Sequence, residues 1–251
     1  MVELGKPVNF LDSCLKIKGI KDSAWNCLQF EGKNEVKKIC VAVDAGDEAI
    51  DKAAKAKADL LIVHHGIYWA DANPSLKGFL KKKLMLLEKH GLSLYASHLP
   101  LDRHGLVGNN IQLLKLLGAK HKSFLDDERI ERIGELKKEM PAKDFVERID
   151  EMLETKSIAF LHGKKKTKTL FVCSGGGGHP DFYKALNEKV DLYLTGDLIH
   201  CMQACRDAGF NAVFAGHYAT ETLGVKALAK LLEKKFKLKT EFIEIKKGWI
   251  E

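Results

Sequence analysis

Five side chains of metal-ligating type stand where strands should end. His64 and His65 close the apolar run Leu60-Leu61-Ile62-Val63 and precede Gly66. In a regular strand adjacent side chains point to opposite faces, but bending at a strand exit can aim both imidazoles into one crevice. Asp102 closes the stretch Ser97-His98-Leu99-Pro100-Leu101, whose proline stiffens the loop. His217 and Glu221 follow Ala215-Gly216 and are four residues apart, which puts them on one face if the turn there is helical. Three imidazoles and two carboxylates exceed what one zinc needs. A carboxylate bridging two cations ~3.5–4 Å apart would use all five. Nitrogen and oxygen donors suit zinc, iron or manganese alike, so two divalent cations are expected with their identity open.

Further candidates surround this set. His98 stands in the first half of the chain where His217 stands in the second, as a general acid/base, a hydrogen-bond donor behind the ligands, or a plain loop residue. Asp197 either orients a ligand histidine or caps a helix, and His200 lies within reach of the same region. The run Gly175-Gly176-Gly177-Gly178-His179 is either a phosphate cradle or a tight structural turn, since it completes neither a dinucleotide fingerprint nor a Walker sequence. The six cysteines form no Cys-x-x-Cys pair; Cys201 and Cys205, one helical turn apart, read as buried reduced thiols or as joint ligands.

The elements that must position these residues alternate. Strands are predicted at 39–43, 60–63, 92–97, 158–161, 169–173, 192–195 and 212–215, and helices at 8–15, 47–56, 76–89, 109–116, 142–153, 181–187, 199–208 and 221–236. An internal repeat sharpens the pattern. Residues 39–46 can be laid on 169–176, 58–65 on 190–197, and 96–102 on 215–221, with offsets of 130, 132 and 119. The His-x-x-x-acid spacing at a strand exit recurs in both halves, and the shorter last offset implies an insertion in the first half, which the Lys-rich helix around residues 81–89 could supply. The expectation is an α/β fold of two related lobes, residues 1–122 and 123–251, with mixed, largely parallel sheets and a metal site between them. The C-terminal helix could pack back on the first lobe.

Composition bounds the rest. At 251 residues with 45% hydrophobic and 30% charged side chains, disordered and low-complexity classes are excluded. The net charge of +7 lies in residues 76–170, which hold 20 basic against 13 acidic side chains; the sharpest runs are Lys81-Lys82-Lys83 and Lys164-Lys165-Lys166. Such a segment is either a solvated Lys face or a phosphate-contacting surface, so a nucleic-acid partner is an alternative. No run approaches the ~20 apolar residues of a spanning helix, so no membrane partner and a cytoplasmic location are expected.

The stretches Ala58-Asp59-Leu60-Leu61-Ile62-Val63-His64-His65-Gly66, Ser97-His98-Leu99-Pro100-Leu101-Asp102, Thr195-Gly196-Asp197 and Ala215-Gly216-His217-Tyr218-Ala219-Thr220-Glu221 closely resemble the Nif-three-like family, whose members are often labelled type 2 homologues of GTP cyclohydrolase 1. The resemblance extends to Asp22-Ser23-Ala24-Trp25 and to Cys173-Ser174-Gly175-Gly176. It implies a two-lobed protomer, a homohexameric ring and a dinuclear metal centre, with ligands at His64, His65, Asp102, His217 and Glu221 and Glu221 as the bridge. After Trp25 the chain departs from the family, with Asn26-Cys27-Leu28-Gln29 in place of Asp-Asn-Val-Gly-Leu, which bears on any substrate contact made there. Two readings follow: a metal-dependent hydrolase of a nucleotide, with His98 as a catalytic acid/base, or a nucleic-acid-binding hexameric ring in which the metal is structural or regulatory. A metal-binding scaffold without turnover is a third.

Overall fold

The computed structural model describes residues 1–122 and 130–245. The chain divides into two compact units, Met1–Leu101 with Val225–Glu251, and Asp102–Gly224. This division falls elsewhere than the expected boundary at 122/123, which abuts residues 123–129, outside the described ones.

The first unit begins with β1 (Val2–Glu3), α1 (Gly5–Leu15), β2 (Cys27–Phe30) and β3 (Glu35–Val36), of which β1 and β3 form a small antiparallel pair. Then follow β4 (Lys38–Asp44), α2 (Asp47–Lys55), β5 (Leu60–His65), α3 (Gly78–His90), β6 (Ser93–Ala96) and α4 (Leu99–Asp102), whose last residue opens the second unit. The second unit continues with α5 (Asn109–Leu116), β7 (Ala119–His121), β8 (Arg132–Pro141), α6 (Ala142–Leu153), β9 (Ile158–Leu161) and β10 (Lys166–Cys173). It closes with α7 (His179–Asn187), β11 (Leu192–Thr195), α8 (Met202–Ala208), β12 (Asn211–Phe214) and the start of α9 (His217–Phe236). β13 (Lys239–Phe242) returns to the first unit by pairing parallel with β4.

The first unit's sheet runs β13-β4-β5-β6-β2 and the second's β7-β8-β10-β11-β12-β9. The repeat read from the sequence is present in this order. In each unit three parallel strands are joined by crossover helices, β4-β5-β6 in one and β10-β11-β12 in the other, and each triplet ends on an antiparallel edge strand contributed from upstream, β2 or β9. Both sheets are therefore mixed. The insertion lies in the β5–β6 crossover: α3 has 13 residues against 7 in α8, and a loop over residues 66–77 precedes it.

Local sequence accounts for the central elements. β4 and β5 are nearly continuous apolar runs, Ile39-Cys40-Val41-Ala42-Val43 and Leu60-Leu61-Ile62-Val63, and all nine side chains are buried, as strands covered on both faces require. On α6 the buried positions Ala142, Phe145, Ile149 and Leu153 recur at helical spacing. α2 carries Asp47 and Glu48 in its first turn and Lys52 and Lys55 in its last, complementing the helix dipole. Each buried aliphatic side chain of these cores contributes about 1.5–3 kcal/mol by removal from water.

The second unit starts before residue 122 because of sheet pairing. β7 lies antiparallel to β8, and Leu113, Leu114 and Leu117 pack into the same cluster as Phe145, Leu170 and Leu192.

Candidate metal centre

Both histidines of the pair stand at the end of β5, the middle strand of the parallel triplet. Their rings lie 4.7 Å apart, inclined at 46°, so the strand exit turns adjacent side chains toward one another. His98 follows β6 by one residue, and its ring is 5.0 Å from His64 and 5.5 Å from His65. Each of the three offers a ring nitrogen within 4.8 Å of the other two.

Strand register supplies the groups that hold these rings. Asp44 ends β4 directly beside His65, and its carboxylate accepts a hydrogen bond from His65 Nδ1 at 2.8 Å. Ser97 extends β6 past Ala96, and its carbonyl accepts from His64 Nδ1 at 3.0 Å. A carbonyl can only accept, so His64 Nδ1 carries a proton and Nε2 is the other ring nitrogen, the one a metal would take.

His98 is held more elaborately. Asp22 Oδ1 accepts from His98 Nδ1 and from the Ala24 amide, each at 2.9 Å, and Oδ2 accepts from Asn26 Nδ2 at 2.9 Å and the Leu99 amide at 3.0 Å. Burial of this side chain, 2% exposed, pushes its pKa up, but the hydrogen bonds from His98, Ala24 and Asn26 outweigh that and hold it at about 2. The segment that departs from the family pattern is therefore structural: Asn26 Oδ1 also accepts from the His98 amide at 2.6 Å, and Gln29 Oε1 accepts from the Ile67 amide at 2.7 Å.

In the second unit, Asp102 ends α4 and Glu221 lies on the second turn of α9, both buried, with carboxylate oxygens within 4.8 Å of each other. Asp102 Oδ1 accepts from Asn109 Nδ2 at 2.7 Å and from Ser174 Oγ at 3.3 Å. His217 and Glu221 face each other one helical turn apart, Nε2 to Oε2 at 3.2 Å, and His217 Nδ1 donates to Asp197 at 3.0 Å. Asp197 is thus the orienting carboxylate. His98 and His217, matched in the repeat, share this arrangement of Nδ1 on an aspartate.

The glycine run resolves as a structural turn that clears space for the cluster. Gly175 has φ +65, and a Cβ there would collide with Glu221 Oε1 and lie 3.1 Å from His217 Nε2. Its amide donates to Thr220 Oγ1 at 2.9 Å and that of Gly177 to Thr195 Oγ1 at 3.0 Å, so these two donors are already committed within the fold. His200 is exposed, its carbonyl accepting from His179. Cys201 and Cys205 are buried free thiols with Sγ atoms 3.8 Å apart; burial pushes Cys205 up to about 12, the state of an unreactive thiol.

The sequence reading named His64, His65, His98, Asp102, His217 and Glu221, and the structure gathers the first three in one unit and the last three in the other. It passed over Asp44, Asn109 and Ser174, and gave Asp22 no role. Asp44 alone left a usable signal, as the residue ending the strand beside β5.

The family described as Duf34/NIF3 (NGG1p interacting factor 3) matches residues 2–248. The chain belongs to this family. It is 42% identical to the GTP cyclohydrolase 1 type 2 homolog of Pyrococcus horikoshii over 242 residues, 94% of this chain and 96% of that one. With the homolog from Haemophilus influenzae the identity is 37%, covering 90% and 91%. Among solved structures it is similar to the protein ybgI, of unknown function by its description, with TM-score 0.93 and 31% identity over 99% of this chain and all of that one. TTHA1606 from Thermus thermophilus superposes with TM-score 0.88 at 33% identity, covering 99% and 100%.

The donor set of this NIF3-family chain fits divalent cations: imidazole nitrogens whose Nδ1 atoms are anchored, buried carboxylates, and a glycine where a Cβ would fill the space. In the metal-free chain the hydrogen bond with Glu221, against the opposing effect of burial and with help from Asp197, raises His217 from 6.5 to about 9. A histidine raised in the folded state stabilises the fold fully below its unfolded pKa and ceases to as pH rises through the folded value. Metal-free protein is therefore expected to melt at a higher temperature at pH 6 than at pH 9.5, and His217→Gln to reduce that difference in melts run with chelator. Metal binding must expel the same proton, so affinity should rise with pH up to about 9.

The basic runs are partly neutralised within the fold. Lys82 pairs with Asp47 at 2.6 Å, Lys164 with Asp191 at 2.7 Å and Lys166 with Glu139 at 2.5 Å. Lys122 and Lys168 share Glu135, each at 2.8 Å. Among the described residues no helix is long and apolar enough to cross a membrane.

Proposed function

We propose that this protein is a metal-dependent hydrolase of a nucleotide, for which His64, His65, Asp102, His217 and Glu221 are the residues that would hold two divalent cations. The observation that carries the reading is the anchoring of His64, His65 and His217 through Nδ1 to Ser97 O, Asp44 and Asp197. That arrangement occupies Nδ1 of each ring and makes Nε2 the atom each would offer a metal, His217 giving up the proton it shares with Glu221. The donor chemistry suits zinc, iron or manganese. Such cations, when bound, supply Lewis acidity and lower the pKa of water.

This chain's own residues do the remainder. His98 is the acid/base: with Nδ1 held by Asp22, its Nε2 is the atom that takes a proton from attacking water or returns one to a leaving nitrogen. Asp22 positions the ring through that hydrogen bond. The relatives' description as GTP cyclohydrolase 1 type 2 homologs points to a purine nucleotide: one water would add to the imidazole carbon and open the ring to a formamide, and a second would hydrolyse that formamide to formate and the free amine.

The test is metal analysis of the purified protein followed by turnover of GTP and a nucleotide panel. Two equivalents of metal per chain and GTP-dependent formate release support the reading; a loaded protein that turns over no nucleotide overturns the hydrolase. Asp22→Asn provides an internal check. It is expected to leave metal content unchanged and to lower kcat by roughly 10²–10⁴-fold, as loss of a positioned acid/base does.

A further inference from the structure

Trp25 is 60% exposed, a large apolar side chain in water, and it lies in the segment whose Asp22 and Asn26 hold His98. Its backbone is nevertheless tied down. The Trp25 amide donates to Tyr68 O at 3.1 Å, Trp25 O accepts from Gln29 Nε2 at 2.7 Å, the Ala70 amide donates to Ser23 O at 2.7 Å, and Ala24 bridges antiparallel to Trp69. Residues 22–26 and 66–70 are thus stitched into one rigid rim. Both segments of this rim touch the cluster: Asp22 and Asn26 hold His98, while the Trp69 ring lies 5.3 Å from His98, edge to face, and 5.9 Å from His65. The Tyr68 ring sits 6.3 Å from Trp25, extending the aromatic surface.

An exposed indole, with only two side-chain torsions and a hydrogen-bonded backbone beneath it, offers large contact area at a low cost in conformational entropy. Every nucleobase has a π face, and stacking on such a ring tolerates any base. We infer that Trp25 is the stacking platform for the base of a nucleotide whose reacting atoms lie at the His64–His65–His98 cluster. This rests on the nucleotide reading above and deepens it by assigning the base-binding residue. Trp25 contributes affinity for the base alone, and phosphate recognition lies elsewhere.

The test measures binding to the full-length chain by calorimetry, with and without metal, using GTP, inorganic triphosphate and ribose 5-phosphate as probes. Trp25→Ala is expected to weaken GTP about tenfold or more while leaving triphosphate within about twofold, and Trp25→Phe, which keeps a stacking face, to recover most of the loss. If the wild type binds GTP no better than triphosphate, or Trp25→Ala leaves GTP affinity intact, the inference is overturned. A change of assembly state on a sizing column with unchanged GTP affinity overturns it as well and makes Trp25 an intersubunit contact. Trp25-dependent GTP binding by a protein that shows no turnover overturns the hydrolase reading alone.

Discussion

Glu221→Gln is expected to empty the metal centre while leaving the fold standing. The substitution preserves side-chain size at a buried position and removes the negative charge that a bridging ligand must carry. Metal affinity should fall by more than the roughly 10–100-fold that loss of an outer hydrogen bond costs a metal site. Metal analysis after dialysis should find the variant at one equivalent or fewer against two for the wild type. The metal-free variant should also lose most of the upward shift at His217, because Glu221 is its largest cause. That shift is readable by NMR titration of the imidazole, independently of metal. A variant that keeps two equivalents would remove Glu221 from the ligand set.

Gly175→Ala should be more damaging to the fold than its size suggests. Two costs combine: an alanine forced to φ +65, about 1–2 kcal/mol, and a methyl driven into the Glu221 carboxylate and the His217 ring, about 1–3 kcal/mol of overpacking. A destabilisation of about 2–5 kcal/mol lowers the melting temperature by roughly 5–15 °C for a chain of this size. Metal should be lost with it. Gly178→Ala is the matched control, since a Cβ there meets only Pro180 Cδ at 3.5 Å and φ is not positive. It should melt within about 2 °C of the wild type; comparable losses in both variants would show that the glycine run is generally intolerant and would remove the specific role of Gly175.

Local pattern carried a large part of the fold. Helices α5 and α6 match the expected 109–116 and 142–153, and strands β9 and β11 match 158–161 and 192–195, because the helices keep their apolar spacing and the strands are short, largely apolar runs. β8 was passed over although it has ten residues: its outer half reads Lys137-Lys138-Glu139, and it is a strand because β7 and β10 pair with it on either side. β13, Lys239-Thr240-Glu241-Phe242, is likewise a strand by virtue of pairing with β4, and β2 by pairing with β6. Short polar segments have no periodicity of their own strong enough to choose a conformation, so lateral hydrogen bonding decides them.

At the candidate site the division is similar. Which residues could ligate was legible along the chain, because His64-His65 at the end of an apolar run, and the His-x-x-x-acid spacing repeated at 98–102 and 217–221, are local features of strand exits. What holds those residues became visible in the folded chain alone. Asp44 reaches His65 through parallel register, Ser97 reaches His64 from the neighbouring strand, and Asp22 reaches His98 across 76 residues of sequence. Such partners are set by which strands lie side by side. That adjacency depends on the free energy of the whole sheet, and no window of sequence contains it.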